Sequence, residues 1–228
     1  MKHHRIETRQ EAVQVGISLV ESRVLDHVLH EHSFEDKDYF YRLTWDAEPY
    51  VLNRFKIWNK ADVSTEDPIK LLKNCKRLYQ GVADKHTDGQ GLIDFVALEA
   101  DEEYSAFVIS MCELQRLDMA AMEHDLRLAF VINLYNIAIN QAFAQVGTPR
   151  TNWQRLGFFD TVKVDVGGLL FSFNDLENGV LRGNQVPPAH LSKPFKSSDP
   201  RAATVIPRAP IEPRIHFALN CGARYSYS

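Results

Sequence analysis

Between Asp125 and Val146 the chain runs through Leu126, Leu128, Ala129, Phe130, Val131, Ile132, Leu134, Ile137, Ala138, Ile139 and Phe143. This density leaves almost no polar face, which places the segment as a helix in the centre of a fold and not on its surface. Three residues break the pattern. Asn133, Asn136 and Asn140 lie three and four apart and therefore share one side, where buried amides must find hydrogen-bond partners or cost a few kcal/mol each. The longest continuous apolar run, Leu128 to Ile132, is far shorter than the roughly 20 residues that cross a bilayer. The reading is therefore a protein with no transmembrane segment.

The rest of the chain supplies partners for such a helix. Thr8 and Glu11 have the spacing of a capping box, and Ala12, Val13, Gly16, Leu19 and Val20 make one face of a helix ending near Ser22. Val24 to Val28 and Tyr39 to Trp45 read as short strands. From Asp46 to Glu66 the chain reads as a connector. Asp67-Pro68 opens a helix to about Val82, with an apolar stripe of Ile69, Leu72, Tyr79 and Val82 and a basic set of Lys70, Lys73, Lys76 and Arg77. Further helices are expected over 94–100 and 102–114. Val162, Val164 and Val166 alternate, Gly167-Gly168 tolerates positive φ, and Leu169, Phe171 and Phe173 alternate again, which predicts a tight hairpin. Asn174 is expected to cap a short helix with Glu177 three residues on, ending at Gly183. Seven of the ten prolines fall between Pro187 and Pro213, so that stretch should be extended. Ile215 to Leu219 reads as a strand or the start of a buried segment. The expected fold class is α+β, mainly helical, with small hairpins.

With 45% hydrophobic and 25% charged residues the 228-residue chain has the composition of a globular protein. A net charge of −4 gives no drive toward nucleic acid. Three dispersed cysteines, Cys75, Cys112 and Cys221, do not form a disulfide framework and favour a reducing compartment. The first residues carry no apolar core after their basic ones, so they do not make a secretory signal. A cytoplasmic protein, peripheral at most to a membrane, is the expectation.

Two resemblances emerge from ordered motifs. Glu11-Ala12-Val13, Gly16, Val24-Leu25-Asp26-His27-Val28, His32, Phe34, Asp36 and Phe40-Tyr41-Arg42-Leu43 resemble the second half of a DEP domain. That resemblance implies a helical bundle with a β-hairpin, with roles in intracellular signalling and attachment to membrane surfaces. Phe130-Val131-Ile132-Asn133-Leu134-Tyr135-Asn136, Val166-Gly167-Gly168, the run Asp175 to Arg182, Asp199-Pro200-Arg201, and the run Pro213 to Ala223 resemble the family called domain of unknown function 547. The chain departs from that family's usual pattern with Val131 for Trp and Asn178 for His. It also ends in Arg224-Tyr225-Ser226-Tyr227-Ser228 where the family continues to a second Cys-Pro. The expected organisation is a partial DEP-like domain over 1–46, a connector with the basic helix over 47–84, and an incomplete domain of unknown function 547 over 85–228.

Several residue sets carry candidate chemistry. Cys221, His216 and Glu177 supply a thiol nucleophile, a base and an orienting acid, the set a cysteine-dependent hydrolase or transferase needs. Against this stand a capping role for Glu177 and simple packing for His216 and Cys221. Asn133, Asn136 and Arg182 are candidate binding residues. Lys70, Lys73, Lys76 and Arg77 could meet an anionic lipid surface or simply face water. His27, His30 and His32 with Glu31 do not make a metal site, since His27 and His30 point to different faces of a hairpin. The run from Asp84 resembles a calcium loop but places Phe95 where a bidentate Glu is required. No metal and no cofactor is expected. His190 and Trp153 read as packing residues. The favoured role is a non-catalytic signalling or scaffolding protein, with its protein partner undefined.

Overall fold

The computed structural model describes residues 6, 8–22, 24–27, 33–43, 50–56, 66–187, 190–207 and 215–220. Helix α1 (Arg9–Glu21) starts at the expected capping box, Thr8 accepting from Glu11 N while Glu11 accepts from Thr8 N. Strands β1 (Leu25–His27) and β2 (Tyr41–Leu43) pair antiparallel, Asp26 opposite Arg42. Gly16 lets α1 approach the Phe34 ring, because a Cβ there would come within 2.4 Å of it. His27 is buried with its ring edge-on to Tyr39 and Tyr41. It packs; His30, Glu31 and His32 lie outside the described residues.

From Leu52 onward one apolar core is shared. Helix α2 (Pro68–Ala83) has Asp67 as its N-cap and Pro68 in its first turn, and buries Leu71, Leu72, Cys75, Tyr79 and Val82. Its predicted stripe is thus wider than four residues, and Ile69 is only half-buried. Asp88 closes the next turn by accepting from Gln90 N and Leu92 N, a polar turn as its sequence implied. Helices α3 (Phe95–Glu99) and α4 (Tyr104–Cys112) follow, and α5 (His124–Gln145) forms the spine. Eleven of the 22 residues of α5 are buried, Phe130, Leu134, Tyr135, Ala138 and Ile139 completely.

The asparagine stripe of α5 does not go into the interior. Asn133 is exposed and donates to Ala129 O; Asn140 is half-buried and donates to Asn136 O. Each satisfies its amide on its own helix, at i−4, so the cost expected of orphaned amides does not arise. The polar residue that α5 does bury is Gln141, whose Nε2 donates 2.8 Å to Leu52 O.

Helix α6 (Asn152–Thr161) leads into β3 (Lys163–Val166) and β4 (Leu169–Ser172), which pair antiparallel with Val166 opposite Leu169. Gly167 and Gly168 take φ of 61° and 83°, the two positive values a two-residue turn requires. At Gly167 the backbone also lies too close to Leu117 O for any Cβ. The stretch read as a connector joins this hairpin: Leu52 N donates to Lys163 O, and Lys163 N to Tyr50 O, both 2.9 Å, so residues 50–52 lie along β3. Behind them sits a buried polar knot. Asn53 Nδ2 donates to Met111 O and Asp165 O, Asp165 N donates to Asn53 Oδ1, and Gln115 Nε2 donates to Asn53 O. The Asp165 carboxylate, fully buried, accepts from Gly168 N and pairs with Arg54.

The helix after β4 differs from expectation. Residues Asp175–Leu181 form a π-helix, and Asn174 already has helical φ and ψ with no capping bond. The cap lies two residues earlier: Ser172 Oγ accepts from Asp175 N while the Asp175 carboxylate accepts from Ser172 N. Ser172-x-x-Asp175 is itself a reciprocal capping pattern, and it wins because Asn174 is engaged elsewhere. Ile215–Ala218 is a helical turn, α7, and not a strand; Ile215 on it and Leu219 just after it are buried.

Candidate functional site

Helix α6 and the π-helix face each other across a cleft of about 340 Å³. The Thr151–Gln154 capping box starts α6, and from it Arg155, Leu156, Phe159 and Asp160 line one wall. Asn174, Glu177, Asn178 and Arg182 line the other, with Pro187 and His190 arriving from the proline-rich segment. Leu156, Phe159 and Pro187 give it an apolar floor. The π-helix stands against Phe195, which approaches so closely that a Cβ on Gly179 would meet its ring at 2.5 Å. Such i→i+5 geometry is rare and concentrates at functional sites.

Polar groups in the cleft are chained. Asn178 Nδ2 donates to Asn174 Oδ1 at 2.7 Å, and Asn174 Nδ2 donates to Asp160 Oδ1 at 2.9 Å. Asp160 Oδ2 lies 3.0 Å from His190 Nε2. This contact fixes the orientation of the His190 ring against Asp160. Glu177 Oε1 pairs with Arg182 Nη2 at 2.7 Å, and the Arg155 guanidinium lies 5.0 Å over the Phe159 ring. Glu177 is therefore an ion-pair partner in a cleft and not a cap, and His190 does more than pack. Nothing local in the sequence marks His190; its partner Asp160 is thirty residues away. Thr151-x-x-Gln154 was the overlooked signal for the helix that supplies the other wall.

A recess of about 360 Å³ lies between the Gln115–Ala120 stretch and the Gly167 turn. Its charged residues already have partners, Arg116 in Glu113 and Asp118 in the amides of Ala120 and Ala121. Arg201, from the Asp199-Pro200-Arg201 motif, is a structural hub. It binds Asp199, Asp175 and Leu170 O and lies 4.7 Å over the Phe195 ring, the same ring that backs the π-helix. Burial pushes Asp199 up, but hydrogen bonds from Arg201 more than offset this and hold it below the usual carboxylate range.

Of the predicted thiol set, Glu177 is placed in the cleft, Cys221 lies outside the described residues, and only the backbone of His216 is described. What the structure gives is the anchor of the segment leading to Cys221. Asn136 Nδ2 donates 2.8 Å to Ala218 O, and Asn220 N donates 2.7 Å to Asn136 Oδ1. One side-chain amide thus holds both a carbonyl and an N–H of residues 218–220. Asn133 makes no such contact across to that segment; its Nδ2 turns back to Ala129 O. Burial raises the other two thiols, Cys75 to about 11, and Cys112 also upward. On α2, Lys70, Lys73, Lys76 and Arg77 are all exposed on the side opposite the core. Arg77 donates to Asn74 Oδ1, and the three lysines make no ion pair with a described residue. Among the described residues no helix is long and apolar enough to cross a membrane, and no group of three metal-ligating side chains converges.

A small antiparallel pair leaning on one helix, followed by a helical body around an apolar spine, defines a chain of two unlike parts. The model of the domain found in Dishevelled, Egl-10 and Pleckstrin (DEP) matches residues 1–43. The model of the family described as protein of unknown function, DUF547, matches residues 119–226. The chain thus joins a DEP segment to a DUF547 segment, and the helices α2 to α4 that precede the second match share its core. Searches of curated proteins and of solved structures gave no significant match.

Proposed function

We propose that this protein is a non-catalytic component of intracellular signalling or scaffolding that acts by protein or membrane-surface contacts. The DEP segment carries this reading, since such domains are associated with signalling and with membrane attachment. The exposed basic face of α2 adds a surface suited to anionic headgroups, where each positive charge contributes about 1 kcal/mol. The test is co-sedimentation of the full chain with phosphatidylcholine vesicles, with and without phosphatidylserine. Binding should require phosphatidylserine and fall with added salt. Replacing Lys70, Lys73 and Lys76 together by Ala should weaken it roughly a hundredfold, since each 1.4 kcal/mol is a factor of ten. Absence of salt-sensitive binding would remove the membrane half of the reading.

A cysteine-dependent hydrolase or transferase using Cys221, His216 and Glu177 is the second reading. The Asn136 clamp favours it, because a nucleophile needs a fixed backbone and residue 220 is tied to α5. Iodoacetamide labelling at neutral pH separates the two. Cys75 and Cys112, held protonated by burial, should react slowly. Fast labelling of Cys221 that His216→Ala abolishes supports an activated thiolate; equally slow labelling at all three cysteines eliminates it.

A further inference from the structure

The junction between α5 and α6 carries a group that neither the membrane reading nor the thiol reading uses. Gly147 ends α5 with a φ of 92°, its N–H still donating to Phe143 O at 3.2 Å, and Thr151 opens α6. Thr148, Pro149 and Arg150 lie between them in neither helix nor strand. Pro149 fixes its own φ and holds Thr148 in the extended region. Successive side chains of an extended chain point to opposite sides. Thr148 is accordingly exposed, Pro149 half-buried and Arg150 exposed, which puts the hydroxyl and the guanidinium on the same solvent side. Thr8 and Thr151 commit their hydroxyls to helix caps, and Thr87, Thr161 and Thr204 donate theirs to carbonyls. Among the described threonines, Thr148 alone has a hydroxyl bonded to no described residue. It is also the chain's one Ser or Thr that a proline follows.

We propose that Thr148 is a phosphorylation site for a proline-directed Ser/Thr protein kinase. Thr148 Oγ1 forms a bond to the γ-phosphorus of ATP as the bond to the departing ADP oxygen breaks, and the hydroxyl proton passes to the kinase's catalytic carboxylate. Such a step needs an unbonded, solvent-facing hydroxyl, and the junction presents one without local unfolding. Pro149 selects the enzyme class, because a rigid ring with no N–H excludes any kinase whose cleft requires a hydrogen bond from that position. The product adds about 1.5–2 negative charges. Arg150 stands on the same side to receive them, and its guanidinium makes no ion pair with a described residue. Thr148 lies outside the groups that the signalling reading uses, so a negative vesicle result leaves the site untouched.

The experiment is incubation of the full folded chain with Mg-ATP and, separately, a mitogen-activated and a cyclin-dependent kinase, beside the synthetic peptide of residues 143–154. Mass spectrometry of the digested chain locates the phosphate. With at least one of the two kinases Thr148 should carry the main phosphate, at a rate within about tenfold of the peptide's, because the segment is already presented. Pro149→Ala should slow that labelling about tenfold or more with unchanged circular dichroism, and Thr148→Ala should abolish it. The proposal is overturned if neither kinase places phosphate on Thr148, or if Pro149→Ala is labelled as fast. It is equally overturned if the folded chain reacts more than about tenfold slower than the peptide, since the fold would then hide the hydroxyl. Because the comparison with the peptide uses the unmodified chain, a variant that failed to fold would not rescue it.

Discussion

Residues 8–43 and the body that begins at Leu52 are assembled from the same local devices. Each has a helix opened by a complete capping box, Thr8 with Glu11 and Thr151 with Gln154, and each has a two-stranded antiparallel pair. What they do with these devices differs. Among the described residues no apolar side chain before Leu52 is buried; α1 buries only Gly16 of its thirteen residues. The body buries phenylalanines 107, 130, 143, 158, 171, 173 and 195 in one core. At about 25 cal/mol per Å² of apolar surface, burial and not capping decides which region holds itself together. Among its described residues the DEP segment has its local structure specified but buries little apolar surface; besides the aromatic contacts of His27 and Phe34, it is tied by polar, exposed contacts such as the Arg9–Asp36 pair.

The largest test of this contrast is Asn53→Ala. It removes three buried hydrogen bonds and leaves Met111 O and both backbone groups of Asp165 without that partner. At about 1–3 kcal/mol for each unsatisfied group, a loss of roughly 3–5 kcal/mol is expected, measured as a lower denaturant midpoint of the body. A loss under about 1 kcal/mol would mean that the polar knot is not part of the cooperative core.

A matched pair of cap removals sharpens the comparison. Thr151→Ala and Thr8→Ala each delete one side-chain cap worth about 1 kcal/mol. Thr151→Ala should lower the global midpoint by that amount. Thr8→Ala should speed amide exchange across the first turn of α1 and leave the midpoint where it was. Equal shifts in the midpoint would show that the DEP segment unfolds with the body, and the contrast would fail.

The smallest effect is in acid. Asp199 has its folded pKa lowered by Arg201, so its contribution is complete above the unfolded value of about 4 and is lost as pH falls through the folded one. Thermal midpoints should show nothing from this pair between pH 8 and 5 and a decline below about pH 4. Asp199→Asn should flatten that acid limb; an unchanged limb would place the acid sensitivity elsewhere.

Legibility in the sequence followed the range of the forces involved. The α1 cap, the Pro68 start of α2, the apolar spine of α5 and the Gly167-Gly168 turn were all readable, since each depends on residues within one or two turns of each other. Asn174 misled because Ser172 offers a competing cap and Asp160, fourteen residues away, engages the Asn174 amide. Asn133 and Asn140 of α5 misled for a related reason: an amide that reaches its own i−4 carbonyl needs no foreign partner, and only Asn136 of the three meets one, at residues 218–220.

By itself, then, the sequence determined the helix of residues 9–21, the Pro68 helix, the Gly167-Gly168 hairpin and which helix must be central, because hydrophobic period and backbone dihedral preference act locally; it did not reveal the helix of residues 152–161 or the helical turn at 215–218. Only the tertiary structure decided that Asn53 ties the supposed connector to Asp165, that Asn136 holds residues 218–220, and that Asp160, Glu177, Arg182 and His190 share a cleft. Those meetings span from five to more than a hundred residues of chain, and packing geometry alone selects them.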